Sequence, residues 1–399
     1  MLKEHKLNFS ELVAFISFWI LFPGFFFYHI GLSLSLYSNF LGGFFGIVSA
    51  LLLPPLFFIY FFNVFDSPNK FRFIDALFIS LLIYIFCVTL INFSFFSQAG
   101  NADLLVWNIT GILFNFECYV ILKFFNFNNK RIHFFLFLTF FMMVFFLGIN
   151  LENNVLLILS SNTEDAVSYQ AYARSMLLIS FFLIAFMKGN LTKITIFIIS
   201  TIALTVLGSR SELILFLGSI IATTYLLSCL SAYRFFVASF FSLIFISGII
   251  FEIIPFLSLI EDFRVFELLQ YGLIGSDSGS VRLMQIEFGW EAIKNSPIFG
   301  DYGSYVQHFG SIGHFPHHIL SAWLNLGFLG FIFFLGISFY IFYQSTIDLI
   351  YKNNQESIFK VFLSLFILSA FLTSKDYTFM FFGLAVGAFS NCQSKEGTL

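Results

Sequence analysis

The chain has 399 residues, of which 59% are hydrophobic and 10% charged, with a formal net charge of −3. A typical soluble domain is about 25% charged, so this composition excludes an ordinary water-soluble fold, and the small net charge speaks against a nucleic-acid partner. Apolar runs of about 20 residues recur from end to end, long enough to cross a bilayer core, without the short alternating segments of a transmembrane barrel.

The expected fold class is all-α: a polytopic transmembrane protein of about twelve spans whose helices satisfy their own backbone in lipid. In chain order the spans fall near 11–30, 39–63, 73–94, 104–122, 133–150, 172–188, 193–209, 211–229, 235–254, 317–343, 358–374 and 376–391. The first follows Lys3 and Lys6 without a small-residue cleavage site, and reads as a retained helix. The second holds Pro54-Pro55, where a kink or break is expected. A tight turn at Gly208-Ser209-Arg210 separates the seventh from the eighth. Residues 1–399 read as one integral membrane domain, with a long loop over 255–316 that carries short amphipathic helices before the tenth span. Within the loop, 262–271 has the pattern of an interfacial helix.

Orientation follows from the basic residues. Lys3, Lys6, Lys70, Arg72, Lys123, Lys130, Arg131, Lys188, Lys193, Arg234, Lys352, Lys360 and Lys395 all fall on alternate loops. Both termini are therefore expected in the cytoplasm and the 255–316 loop outside. Cys87, Cys118, Cys229 and Cys392 form no CxxC or Cys/His cluster, so neither a disulfide nor a metal site is expected, and no cofactor. The 66 phenylalanines read as the codon bias of an AT-rich genome.

The chemistry concentrates between Gly275 and Gly330. A flexible run, Gly275 to Ser280, leads into a helix with Leu283, Ile286, Trp290 and Ile293 at helical spacing and Arg282 in its first turn. Pro297 and several glycines break the pattern, and Pro316 then introduces His317 and His318 at the start of a long apolar helix. Arg282 is either a solvated loop residue paired with Glu287 or an anion ligand. Arg210 is either an arginine snorkelling at a helix end, paired with Glu212, or an anion ligand on the outer side. His317 and His318 are interface markers or a general base, which the positive end of a helix dipole would keep neutral. His308 and His314 are weaker candidates in glycine-rich loop, and Asp277 and Asp301 read first as turn residues. Two outward arginines with a neutral histidine suit a membrane-anchored phosphate ester, since the guanidinium fork holds phosphate and a base activates a hydroxyl.

The 282–330 stretch resembles the O-antigen polymerase and O-antigen ligase superfamily of bacterial membrane glycosyltransferases. The resemblance rests on Arg282 followed by Gly289-Trp290, then Ser296-Pro297-Ile298-Phe299-Gly300, a His-led helix start and Gly327-Phe328-Leu329-Gly330. The turn Gly208-Ser209-Arg210-Ser211 is similar to that family's outward Ser-Arg turn. One departure is the pair His317-His318, where the family often has His-Asn. The resemblance implies a multi-pass protein of the bacterial inner membrane that acts on undecaprenyl-pyrophosphate-linked glycan as donor and acceptor, without metal or nucleotide sugar. Arg210 and Arg282 would hold pyrophosphate and stabilise its departure, and His317 or His318 would activate the acceptor hydroxyl. Its partners would be the lipid bilayer and a chain-length regulator. Polymerase is the favoured member of the class and ligase the runner-up. A lipid-linked oligosaccharide flippase is a third possibility, which would require polar residues within the spans; a structural or sensor protein is a fourth.

Overall fold

The computed structural model describes residues 7–33, 36, 43–66, 71–95, 101–152, 169–207, 209–228, 277–316 and 318–391. Every regular element among them is helical. The chain runs through α1 (Phe9–Trp19), α2 (Phe25–Ser33), α3 (Gly43–Asp66), α4 (Phe73–Phe95), α5 (Asn101–Phe124), α6 (Lys130–Glu152), α7 (Tyr169–Phe186), α8 (Asn190–Val206) and α9 (Arg210–Ser228). It continues with α10 (Asp277–Asn295), α11 (Ser304–Phe309), α12 (Leu320–Lys352), α13 (Gln355–Thr373) and α14 (Phe381–Phe389). Eight of the described helices are long and apolar enough to cross a membrane, the architecture of a multi-pass helical membrane protein.

The expected spans near 172–188 and 193–209 are the 18-residue α7 and 17-residue α8. The expected span at 235–254 and the interfacial helix at 262–271 lie outside the described residues. Two expectations need correction. Pro54-Pro55 does not break α3, which runs through both prolines as one helix. A proline removes a backbone donor, yet leaving the helix in lipid would strand many more polar groups. The backbone changes instead at Pro23, where a π turn, Ile20–Gly24, joins α1 to α2. The expected last span, 376–391, shortens to the nine-residue α14, preceded by buried Lys375, Asp376 and Tyr377.

The chain forms two compact units. The first comprises Met1–Val48, Asn126–Leu273 and Thr346–Phe366. Its core is aromatic: Phe127 stacks on Phe186 at 5.6 Å, and Phe181 lies against both Phe216 and Phe362. Whatever their codon origin, these phenylalanines are buried and carry the packing.

The second unit comprises Ser49–Phe125, Ile274–Ser345 and Ile367–Leu399, and is organised on a polar stripe along α5. Asn108, Gly111, Asn115, Tyr119 and Lys123 recur at helical spacing and all face inward. Asn115 accepts from the Gly383 N–H at 2.9 Å and donates to the Thr378 carbonyl at 3.0 Å. A Cβ on Gly383 or Gly387 would fall 2.0 or 2.3 Å from the α5 carbonyls of Asn115 and Tyr119. The pair Gly383-x-x-x-Gly387 thus lets α14 lie directly on the α5 backbone, as small residues do between membrane helices. At one end of the unit, Lys123 and Asp75 form a fully buried ion pair at 2.6 Å, and Tyr119 donates to the same carboxylate at 2.8 Å. Arg72 closes that end by donating to the Phe389 and Asn391 carbonyls. The spans are therefore less free of charge than their hydropathy suggests. Midway along α5, Glu117 is also fully buried, accepting from Ser49 with one carboxylate oxygen while the other has no partner.

Candidate functional site

The described part of the long loop belongs to the second unit and is a folded layer. Helix α10 is described from Asp277 onward, so Asp277 to Ser280, part of the expected flexible run, are helical. The buried line along α10 is Gln285, Gly289, Ala292 and Ile293, whereas Leu283 and Trp290 are exposed. The expected apolar face is rotated because glycine and alanine, lacking bulk, make the close contact. Arg282 is half-buried on the first turns, and among the described residues it makes no ion pair.

Gly289 is the contact point with the histidine segment. A Cβ there would fall 2.7 Å from Cγ of Pro316, so the bare glycine lets the proline ring sit against α10. One sequence motif, Arg282 with Gly289, is thereby held against another, the proline that introduces the histidine pair.

The glycines at either side of the pair do related work. Gly300 and Gly327 both have positive φ, +74° and +70°. A Cβ on Gly300 would lie 2.4 Å from the Leu324 carbonyl oxygen, and one on Gly327 would lie 2.4 Å from that of Ile298. Leu324 and Phe328 would ordinarily share a helical hydrogen bond. Instead the Leu324 carbonyl accepts from Asp301 N–H at 2.6 Å, and Phe328 N–H donates to Ile298 at 3.0 Å. Two groups of one helical bond are thus exchanged with the 298–301 loop, and α12 is interrupted at Gly327. Trp323 Nε1 donates to the Pro297 carbonyl at 2.7 Å, and Asn325 accepts from Gly303 N–H. Below the loop, Asn108 donates to Tyr302 Oη at 2.7 Å and accepts from Tyr377 at 2.8 Å, which fastens the layer to α5.

His317 lies outside the described residues. His318 is half-buried, and its Nδ1 accepts the Leu320 N–H at 3.1 Å. This is a helix cap made by a ring nitrogen. Neutral His318 in this arrangement carries its proton on Nε2 and has no lone pair left for a substrate hydroxyl. Burial also pushes its pKa below the ordinary value of 6.5. Asp301 is an exposed turn residue whose carbonyl accepts from Ser304. His308 stacks on Phe288 at 4.5 Å, and His314 closes a short 3₁₀ turn.

In the first unit, Arg210 opens α9, and its side chain, like that of Asp277, lies outside the described atoms. The turn around it is held by Glu212. This fully buried carboxylate accepts from Ser209 and Ser211 with one oxygen and pairs with Arg174 Nε at 3.4 Å with the other. Arg174 is thereby a companion of the Ser-Arg turn that the sequence does not reveal. Its position on α7, one helix removed in sequence, carries no local signal of that contact.

No family model and no curated protein matches the chain.

Proposed function

We propose that the protein is an O-antigen-type polymerase, joining undecaprenyl-pyrophosphate-linked repeat units at the outer face of the bacterial inner membrane. The observation that carries this reading is the use of the motif residues that define the resemblance. Gly289 meets Pro316 and Gly300 meets Gly327 at distances only glycine permits, so α10 is packed on Pro316 and the 298–301 loop on the start of α12.

In the proposed reaction, the guanidinium group of Arg282 holds the pyrophosphate of the donor and stabilises the charge that develops as it leaves; the family resemblance gives Arg210 the same role. His317 accepts the proton of an acceptor hydroxyl. The freed oxygen bonds to the anomeric carbon of the donor while the bond from that carbon to the pyrophosphate oxygen breaks. Undecaprenyl pyrophosphate departs with the bonding electrons, and the anomeric configuration inverts. His318 caps the start of α12. A chain-length regulator would be a further partner.

The reading includes about twelve spans, cytoplasmic termini and an outward 255–316 loop, from the distribution of lysine and arginine. A cysteine placed at Ser278 is expected to react with a membrane-impermeant maleimide in intact spheroplasts. Labelling only after the membrane is opened would overturn the topology and the catalytic assignment together.

The flippase reading is favoured by the polar residues within the spans, the buried Lys123–Asp75 pair and the half-partnered carboxyl of Glu117. The glycan of a deletion strain separates the classes. Loss of a polymerase should leave lipid A-core carrying a single repeat unit, because ligation continues. Long polymer stranded on undecaprenyl pyrophosphate would identify a ligase, and single repeats trapped on the cytoplasmic face a flippase.

A further inference from the structure

Three buried polar atoms without hydrogen-bond partners flank the segment that carries the histidine pair. His314 Nδ1 lies two residues before Pro316, and Ser321 Oγ lies on the first turn of α12, just after His318. Gln285 Oε1 lies on α10 one turn before Gly289, the residue against which Pro316 packs. Gln285 and Ser321 are 1% and 0% exposed. A buried acceptor left unpaired forfeits its hydration without compensation, and native proteins keep few of them. Gln285 is not there to fill space: leucine or methionine would pack the same helix face without the penalty.

The three atoms share a chemistry. Each is a neutral hydrogen-bonding group: an amide oxygen that only accepts, a hydroxyl that accepts or donates, and a ring nitrogen that does either. None attracts an anion as Arg282 does. A carbohydrate presents many hydroxyl groups at varied angles, and neutral acceptors of this kind match it. We propose that the junction of α10, the Pro316 segment and the start of α12 is a saccharide subsite, in which Gln285 Oε1 accepts a hydroxyl of the sugar and Ser321 Oγ pairs with another. The proposal rests on the glycosyl-transfer reading above and divides the labour within it: Arg282 holds the pyrophosphate, and Gln285 and Ser321 hold the sugar. A group kept unpaired until substrate arrives contributes to recognition at the expense of stability, and it rejects a ligand that lacks the matching hydroxyl.

That trade gives the test a signature opposite to that of a structural residue. Full-length wild type, Gln285→Met, Ser321→Ala and Arg282→Ala would be purified in detergent. Their thermal midpoints would be measured alone, with undecaprenyl pyrophosphate, and with lipid-linked glycan extracted from a strain lacking the protein. Gln285→Met and Ser321→Ala are expected to match or exceed the wild-type midpoint. They should keep the stabilisation by undecaprenyl pyrophosphate and lose the further stabilisation given by the glycan. The KM for the extracted substrate should rise about three- to tenfold for each, the range expected when one neutral hydrogen bond is lost. An unchanged KM and an unchanged glycan shift in both variants would overturn the subsite. So would a lowered midpoint in both, because misfolding would then account for any loss of activity. Arg282→Ala separates this failure from that of the underlying reading: if it still responds to undecaprenyl pyrophosphate like the wild type, the pyrophosphate role is wrong, whatever the two sugar variants do.

Discussion

His317→Ala is expected to lower polymer formation about 10²–10⁴-fold, the range for loss of a general base, without changing the amount of protein in the membrane. His318→Asn should keep most of the activity. The difference comes from what the two rings can do. His318 Nδ1 is engaged with Leu320 N–H, so the neutral ring offers a donor and no base. Asparagine is a strong cap because its side-chain oxygen reaches the same backbone N–H groups, so His318→Asn should preserve the start of α12. It also restores the His-Asn pair common in the resembling family, where the second position would then be a cap by design. The effect of pH separates the roles further. Because burial lowers the His318 pKa, the folded protein binds fewer protons there than the unfolded chain. The contribution of neutral His318 to stability is therefore complete above pH 6.5 and declines as pH falls below it. Protonation also places a hydrogen on Nδ1 and abolishes the cap. His318→Asn should flatten the fall of thermal midpoint on the acid side, while the loss of rate below about pH 6 persists, because it belongs to His317. An inactive His318→Asn beside an active His317→Ala would reverse the assignment. Normal polymer from both variants would remove the histidine base altogether.

Much of the helical scaffold was legible because lipid reduces the choice of structure to helix or closed barrel, and apolar length then marks each helix. The α5 stripe was equally present in the sequence, since Asn108, Gly111, Asn115, Tyr119 and Lys123 share one period. It went unread because hydropathy averages over faces, and a polar stripe inside a span lowers the mean only slightly. The contacts of Asn115 with Gly383 and of Lys123 with Asp75 depend on helices far apart in sequence, and no local pattern announces them. On α10 the apolar residues marked the buried face only in part: Ile293 is buried, Leu283 and Trp290 are exposed. Leu283 and Trp290 have the greater hydrophobicity, but Gly289 and Ala292 have the small size that close approach demands. The same logic explains why the motif glycines were recognisable but uninterpretable from sequence alone. Their role lies in the backbone that each one faces.

Gly300→Ala and Gly327→Ala should each destabilise the protein by several kcal/mol and remove most of it from the membrane fraction. The first contribution is conformational. Positive φ costs an ordinary residue about 1–2 kcal/mol, and Gly327, at φ 70° and ψ −178°, occupies a region that is essentially glycine's alone. The second is steric. The added methyl groups would lie 2.4 Å from the Leu324 and Ile298 carbonyl oxygens, which are backbone atoms and cannot swing aside. Relief would require the 298–301 loop to part from α12, breaking the bonds from Asp301 to Leu324 and from Phe328 to Ile298. The Leu324 carbonyl and Phe328 N–H could recover each other only if Gly327 returned to helical geometry, which would straighten α12 and displace its first two turns with the residues they carry. Gly310→Ala supplies the control, because Gly310 has nearly the same φ, +71°, but nothing within 4 Å of the added carbon. With ψ near 6° it lies in the left-handed region and carries only that smaller conformational cost, without the collision, so it should fall between wild type and the other two in thermal midpoint. If Gly327→Ala proved no less stable than Gly310→Ala, the close crossing of loop and helix would be wrong. With it would go the account of how the loop and the histidine segment are held as one piece.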